Sequence, residues 1–117
     1  MISVIDDDES MRLALASLVR LLGFNVETYC SAEEFIQSGN RNATSCIITD
    51  IHMPGLTGID LKHWLDAHNN SAPVIMITGR SEIHLHAQAQ ESGAVCLLKK
   101  PFDADTLLAS LKQARVA

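Results

Sequence analysis

Two short stretches of this chain put carboxylates where an apolar run stops. Asp6, Asp7, Asp8 and Glu9 follow Ile2-Ser3-Val4-Ile5, and Asp50 follows Cys46-Ile47-Ile48-Thr49. Pro54, Gly55 and Gly58 come soon after Asp50, so the backbone is expected to turn tightly beyond it. Asp6 to Glu9 suit the start of a helix, where the macrodipole favours negative charge, and Asp50 alone suits a turn cap. Together, the acids point to one shared site. Two carboxylates about 5 Å apart repel by roughly 3 kcal/mol at an effective dielectric near 20. A cluster of them needs a proton, a lysine or a bound cation. Ligands that are all oxygen suit Mg²⁺, which keeps several waters and takes one or two carboxylates.

Lys100 and Thr78 are the other candidates. Lys100 precedes Pro101, which restricts its backbone and makes a cis bond more accessible, and so offers a way to aim one ammonium inward. Lys99 beside it reads as a solvated lysine. Thr78 is followed by Gly79, which leaves space for a ligand to approach the hydroxyl. The histidines are poorer metal ligands. His84 and His86 are two apart and His63 and His68 five apart, so neither pair shares a helix face well. His52 stands out by its address alone, two residues past Asp50.

These residues have to be held by elements that the apolar spacing predicts. Ile2 to Ile5 reads as a buried strand, and Met11, Leu15, Leu18, Val19 and Leu22 mark a helix stopped by Gly23. Phe24 to Tyr29 is the second strand. Ser31 and Glu34 form an expected capping box for a short helix closed near Gly39. A polar loop from Asn40 to Ser45 leads to the strand ending at Asp50. Leu61, Trp64 and Leu65 mark a helix after Gly58. Pro73 to Thr78 is the fourth strand, Ser81 to Ser92 a helix stopped by Gly93, Ala94 to Leu98 the fifth strand, and Asp103 to Arg115 the last helix. Continuous apolar strands alternating with helices imply an α/β fold, a doubly wound parallel sheet covered on both faces. Ligands in such sheets sit outside the carboxyl ends of the strands. Asp6, Asp7, Asp50, Thr78 and Lys100 all fall at that rim.

The bulk numbers are consistent with one such domain over residues 1–117, 47% hydrophobic. A net charge of −5 argues against direct contact with nucleic acid. No apolar run approaches the roughly 18 residues of a membrane span, and no signal-peptide pattern is present. Cys30, Cys46 and Cys96, odd in number and in or beside apolar runs, fit reduced, partly buried thiols in a cytoplasmic protein. The first strand starts almost at residue 1 and the last helix ends near residue 117, as expected of an excised domain.

The phrases "VIDDDES", "IITDIHMPGLTGIDL", "VIMITGR" and "GAVCLLKKPF" resemble the marker motifs of bacterial two-component response regulator receiver domains. "SAEEF" and "KPF" are most similar to the FixJ-like branch. The likeness runs from about Ile2 to Arg115, in order and in register. It implies a five-stranded flavodoxin-like sheet of strand order 2-1-3-4-5. It also implies that Asp50 accepts a phosphoryl group from a sensor histidine kinase. Mg²⁺ would be held by Asp7, Asp50 and the backbone carbonyl of His52, and through water by Asp6. Thr78 and Lys100 would bind phosphoryl oxygens. Leu97 departs from the family, which usually has an aromatic switch residue there. The switch surface, and a homodimer surface on phosphorylation, would be the face of helix 81–92, strand 95–98 and helix 103–115. A DNA-binding output domain is usual in the FixJ-like branch, and none is expected within residues 1–117.

Two rival readings use the same acids. Aspartyl-nucleophile phosphatases similar to the haloacid dehalogenases want a second Asp two residues after the nucleophile, where this chain has His52. A receiver-like interaction module that is never phosphorylated would be favoured by loss of Asp7, Asp50 or Lys100, and all are present.

Overall fold

The computed structural model describes residues 1–116, the side chains of 80–82 excepted, so Ala117 lies outside the described residues. Strands β1 (Ile2–Ile5), β2 (Val26–Tyr29), β3 (Cys46–Asp50), β4 (Val74–Thr78) and β5 (Cys96–Lys99) form one sheet in the order β2-β1-β3-β4-β5. Every pairing is parallel. Helices α1 (Glu9–Leu21), α2 (Ala32–Gln37), α3 (Gly58–Ala67), α4 (His86–Glu91) and α5 (Ala104–Gln113) connect and follow the strands. This is the α/β architecture expected from the alternation of apolar strands and helices.

The three central strands are buried along their whole length, as strands with helices on both faces must be. Their alternate side chains feed two cores. Val4, Ile48, Ile75 and Leu98 pack with Leu15 and Val19 of α1 and with Leu107 and Leu111 of α5. Ile5, Ile47 and Met76 pack on the other face with Phe35 of α2, Leu61 and Leu65 of α3 and Ala89 of α4. β1 pairs with β2 on one side and β3 on the other, so the chain reverses its winding between β1 and β3. The crevice at their carboxyl ends is where such sheets bind ligands.

Several boundaries differ from the sequence expectation. The helix expected from Ser81 to Ser92 divides into a 3-10 stretch, Arg80–Leu85, and the six-residue α4. The apolar residues of the segment explain this. Ile83 is 64% exposed, which leaves the partly buried Leu85 and the small Ala89 against the core, too little apolar surface to hold one continuous helix. β2 starts at Val26 rather than Phe24, and β5 runs Cys96–Lys99 rather than 94–98, each shifted toward the residues that pair with a neighbour. The last helix is shorter at both ends than 103–115, since Asp103 serves as its N-cap and Ala114 as its C-cap. At Ser31 half of the expected capping box is present. The hydroxyl accepts from Glu34 N, but Glu34 Oε2 accepts from Cys30 N and Sγ instead of returning to Ser31. Cys30 is exposed rather than partly buried, and the Glu34 carboxylate that accepts its thiol hydrogen pushes its pKa up. Cys46 is the buried thiol, with burial raising its pKa to about 12. Among the described residues, no helix is long and apolar enough to cross a membrane.

Candidate functional site

β1 ends in a charged step. Asp6 N still donates to Tyr29 O, so Asp6 continues the strand ladder before the chain turns. That keeps its carboxylate buried in the crevice, where Oδ1 accepts from Asp8 N at 2.9 Å and Oδ2 has no hydrogen-bond partner. Burial raises the Asp6 pKa, against the lowering effects of the Asp8 N–H bond and the Lys100 charge, with Asp7 and Asp8 raising it further. Asp7 is exposed beside it. Asp8 has a different role: it caps α1, accepting from Met11 N at 3.1 Å, and Glu9 opens the helix in solvent. The run of acids thus divides, Asp6 and Asp7 lying beside Asp50 and Asp8 and Glu9 starting the helix. Arg12, one turn into α1, donates to Asp6 O at 2.9 Å and fixes the step.

Asp50 ends β3 and is 5% exposed. Oxygens of Asp6, Asp7 and Asp50 lie within 4.8 Å of one another. Lys100, on the loop after β5, brings Nζ to 3.6 Å from Asp50 Oδ2. An ion pair at about 4 Å is worth roughly 4 kcal/mol in an effective dielectric near 20, about the repulsion between two of the acids. Among the described residues, the Lys100 ammonium is set against the three carboxylates of this cluster, which if all ionised exceed it by two charges. A proton on Asp6 removes half of that excess, and a divalent cation all of it. All available donors are oxygens, one of them the buried Oδ2 of Asp6 without a partner, so the residues present fit Mg²⁺. His52 is exposed, two residues beyond Asp50.

The next strand adds a hydroxyl. Thr78 ends β4 and is 1% exposed, and its carbonyl accepts from Lys100 N at 2.9 Å, tying the β4 and β5 ends together. Thr78 Oγ1 lies 3.1 Å from Gly79 O and 2.8 Å from Nε2 of His86. The Lys100–Pro101 bond is cis. Leu97 is half-buried in the middle of β5, against the core that Ala89 also joins.

Three features of the site escaped the sequence reading. Gly58 N donates to Ile51 O, and a methyl built on Gly58 would sit 2.5 Å from the Asp50 carbonyl oxygen. Thr57 and Asp60 form a full capping box that starts α3 at that point. The Thr-x-x-Asp spacing before an apolar run could have disclosed it. The His86–Thr78 bond joins residues eight apart across an irregular turn, and no periodic pattern marks it.

The model of the response regulator receiver domain matches residues 2–112. Response regulator protein TodT of Pseudomonas putida is 37% identical over 113 residues, which are 97% of this chain and 50% of TodT. Transcriptional regulatory protein FixJ of Bradyrhizobium diazoefficiens is 36% identical over 113 residues, 97% of this chain and 55% of FixJ. The crystal structure of FixJ-N superposes with a TM-score of 0.88 at 29% identity, covering 97% of this chain and 90% of that one. This chain therefore spans about half the length of the curated relatives it matches.

Proposed function

The chain belongs to the response regulator receiver domain family, of the FixJ-like kind, and on that premise we propose that Asp50 is a phosphoacceptor. The donor in this reading is the phosphohistidine of a sensor kinase. An Asp50 carboxylate oxygen attacks phosphorus, the new O–P bond forms as the P–N bond breaks, and the imidazole leaves with the electron pair and takes up a proton. A carboxylate suits this step because it is nucleophilic without losing a proton first. Little covalent help is needed beyond placement and neutralisation of charge on the phosphoryl oxygens. Lys100 supplies one positive charge from the Asp50 side. Thr78 offers a hydroxyl to a phosphoryl oxygen. Asp7, Asp50 and the His52 carbonyl would hold Mg²⁺, with Asp6 acting through water, and the ion would supply further neutralisation of the phosphoryl charge. The product is an acyl phosphate on the protein itself, so the chain is a stoichiometric acceptor rather than a turnover enzyme. The face formed by α4, β5 and α5 would carry the signal to a partner or a second copy. A cytoplasmic setting and control of a transcriptional output domain follow the same reading.

The observation that supports it most is Lys100 paired with a buried strand-end aspartate inside a cluster of acids. The test is phosphate incorporation from acetyl phosphate with Mg²⁺, read by intact mass. Wild type is expected to gain one phosphoryl group and Asp50→Asn none. An equal adduct on Asp50→Asn would move the site elsewhere. No adduct on wild type would leave a receiver-like module that works without phosphate.

A further inference from the structure

Thr78 is the hydroxyl expected to reach a phosphoryl group on Asp50, yet its oxygen is already engaged on the α4 side. It lies 2.8 Å from His86 Nε2 and 3.1 Å from Gly79 O. A hydroxyl has one hydrogen to give and two lone pairs to receive with. Both contacts are satisfied together when Thr78 donates to Gly79 O and His86 donates Nε2–H to Thr78. The neutral ring with its hydrogen on Nε2 and the imidazolium both meet that requirement.

Threonine Oγ1 occupies one of three staggered positions about the Cα–Cβ bond. Any rotation that offers the hydroxyl elsewhere takes the oxygen off both partners at once. His86 is held in place for this role. It is half-buried at the first position of α4, directly after Leu85, which packs against the core shared with Ala89 and Leu97. It also lines a pocket with Thr78, Gly79, Ile83, Lys99 and Lys100, so the imidazole fills part of the space between the β4 end and the β5 end. Leu97, shorter than an aromatic ring and without a polar tip, offers Thr78 no hydrogen bond from β5. The polar partner comes from α4 instead.

We propose that His86 is a positioning residue that latches the Thr78 hydroxyl to α4 in the resting molecule, and that release of this hydrogen bond couples occupancy of the Asp50 site to movement of the α4 segment. The proposal rests on the phosphoacceptor reading of Asp50. A latch of one net hydrogen bond, about 1 kcal/mol, opposes the switch by about fivefold in its equilibrium. Because the bond joins the start of α4 to the end of β4, losing it also removes one of the ties that hold the 3-10 stretch Arg80–Leu85 against the rim.

The chain would be titrated with beryllofluoride at fixed Mg²⁺, with bound fluoride read by fluorine NMR, in wild type, His86→Ala, His86→Leu, His86→Gln and each of these combined with Thr78→Val. His86→Ala is expected to lower the half-saturating concentration about fivefold. His86→Leu keeps bulk without the hydrogen bond and is expected to match it, which answers the question even where the alanine variant folds poorly. His86→Gln restores an N–H donor and is expected to return the midpoint to within about twofold of wild type. With Thr78→Val, the alanine and leucine substitutions are expected to change nothing. The latch is overturned by an unshifted midpoint in both His86→Ala and His86→Leu, by a glutamine that behaves as alanine, or by a shift that survives Thr78→Val. Acetyl phosphate labelling of the same samples separates the two levels. A wild type that gains no Asp50-dependent adduct overturns the phosphoacceptor reading and the latch with it, whereas normal labelling with unshifted midpoints overturns the latch alone.

Discussion

Asp50 occupies a position that few carboxylates tolerate, nearly buried beside two others, and its neighbours divide the cost of that placement. Lys100 offsets one negative charge at 3.6 Å. Asp6 eases part of the rest by holding a proton more readily than an exposed aspartate does, since burial raises its pKa. Asp7 is exposed and has water for its share. In the absence of a cation, Asp7 therefore adds repulsion to the folded state and little else. Asp7→Ala is expected to melt slightly higher than wild type without Mg²⁺, because a repelling charge is gone. Adding Mg²⁺ to about ten times its dissociation constant should stabilise wild type by about 1.4 kcal/mol, and most of that gain should vanish in Asp7→Ala. Thermal melts of both proteins with and without Mg²⁺ measure the two effects. Equal stabilisation of the two by Mg²⁺ would remove Asp7 from the ligand set.

At the level of elements, the site depends on how closely α3 approaches the end of β3. Gly58 allows that approach, since a methyl there would meet the Asp50 carbonyl oxygen at 2.5 Å and Ile51 Cα at 3.2 Å, both backbone atoms that cannot swing aside. Gly58→Ala is expected to destabilise the fold by about 1–3 kcal/mol, the usual cost of overpacking, and to slow phosphate incorporation at Asp50. Denaturant melts and acetyl phosphate labelling check the pair of effects. An alanine variant with wild-type stability would show that α3 shifts freely. Asp103 makes a comparable point at the start of α5. Its carboxylate accepts from Thr106 N and Thr106 Oγ1, each at 2.8 Å, and those bonds lower its pKa from 3.8. The folded value lies below the unfolded one, so this contribution is present in full above pH 3.8 and is lost as pH falls through the folded value. Asp103→Asn keeps an acceptor but cannot titrate. The stability difference between wild type and Asp103→Asn is expected to be constant at neutral pH and to shrink below pH 3.8 in pH-dependent melts. These elements also show what a sequence discloses. Apolar runs such as Val74–Thr78 and the spacing of Leu15 and Val19 mark strands and helices, because burial alone decides them. The contact of Gly58 with Asp50 needs the register of two elements at once, and a single glycine at the start of a helix carries no trace of it.

For the molecule as a whole, the alternation of five strands and five helices was legible because the central strands are largely apolar runs buried throughout, and the rim followed from where those runs end in Asp6, Asp50 and Thr78. The segment between β4 and β5 was not. Its sequence reads as one helix, but Ile83 faces solvent, and the chain takes a 3-10 path before six residues of α-helix. The same shortage of buried apolar surface that defeats the helix pattern makes this segment the part of the sheet's cover least firmly held. It is also the part joined to the rim through Thr78, while Lys100 joins the rim to β5 by its N–H bond to Thr78 O. Occupying the Asp50 site should therefore reach β5 and α4 together and leave α1 and α2 nearly unchanged, the new arrangement being selected by contacts that it alone satisfies. Amide hydrogen exchange of the free and beryllofluoride-bound chain checks this. Changed protection is expected from Gly79 to Gly93 and along Cys96–Lys99, with Leu97 keeping its place in β5 and altering its rotamer slightly, because a leucine has no ring to turn inward. Protection changes confined to the loop after Asp50 would mean that the signal leaves this molecule by another face.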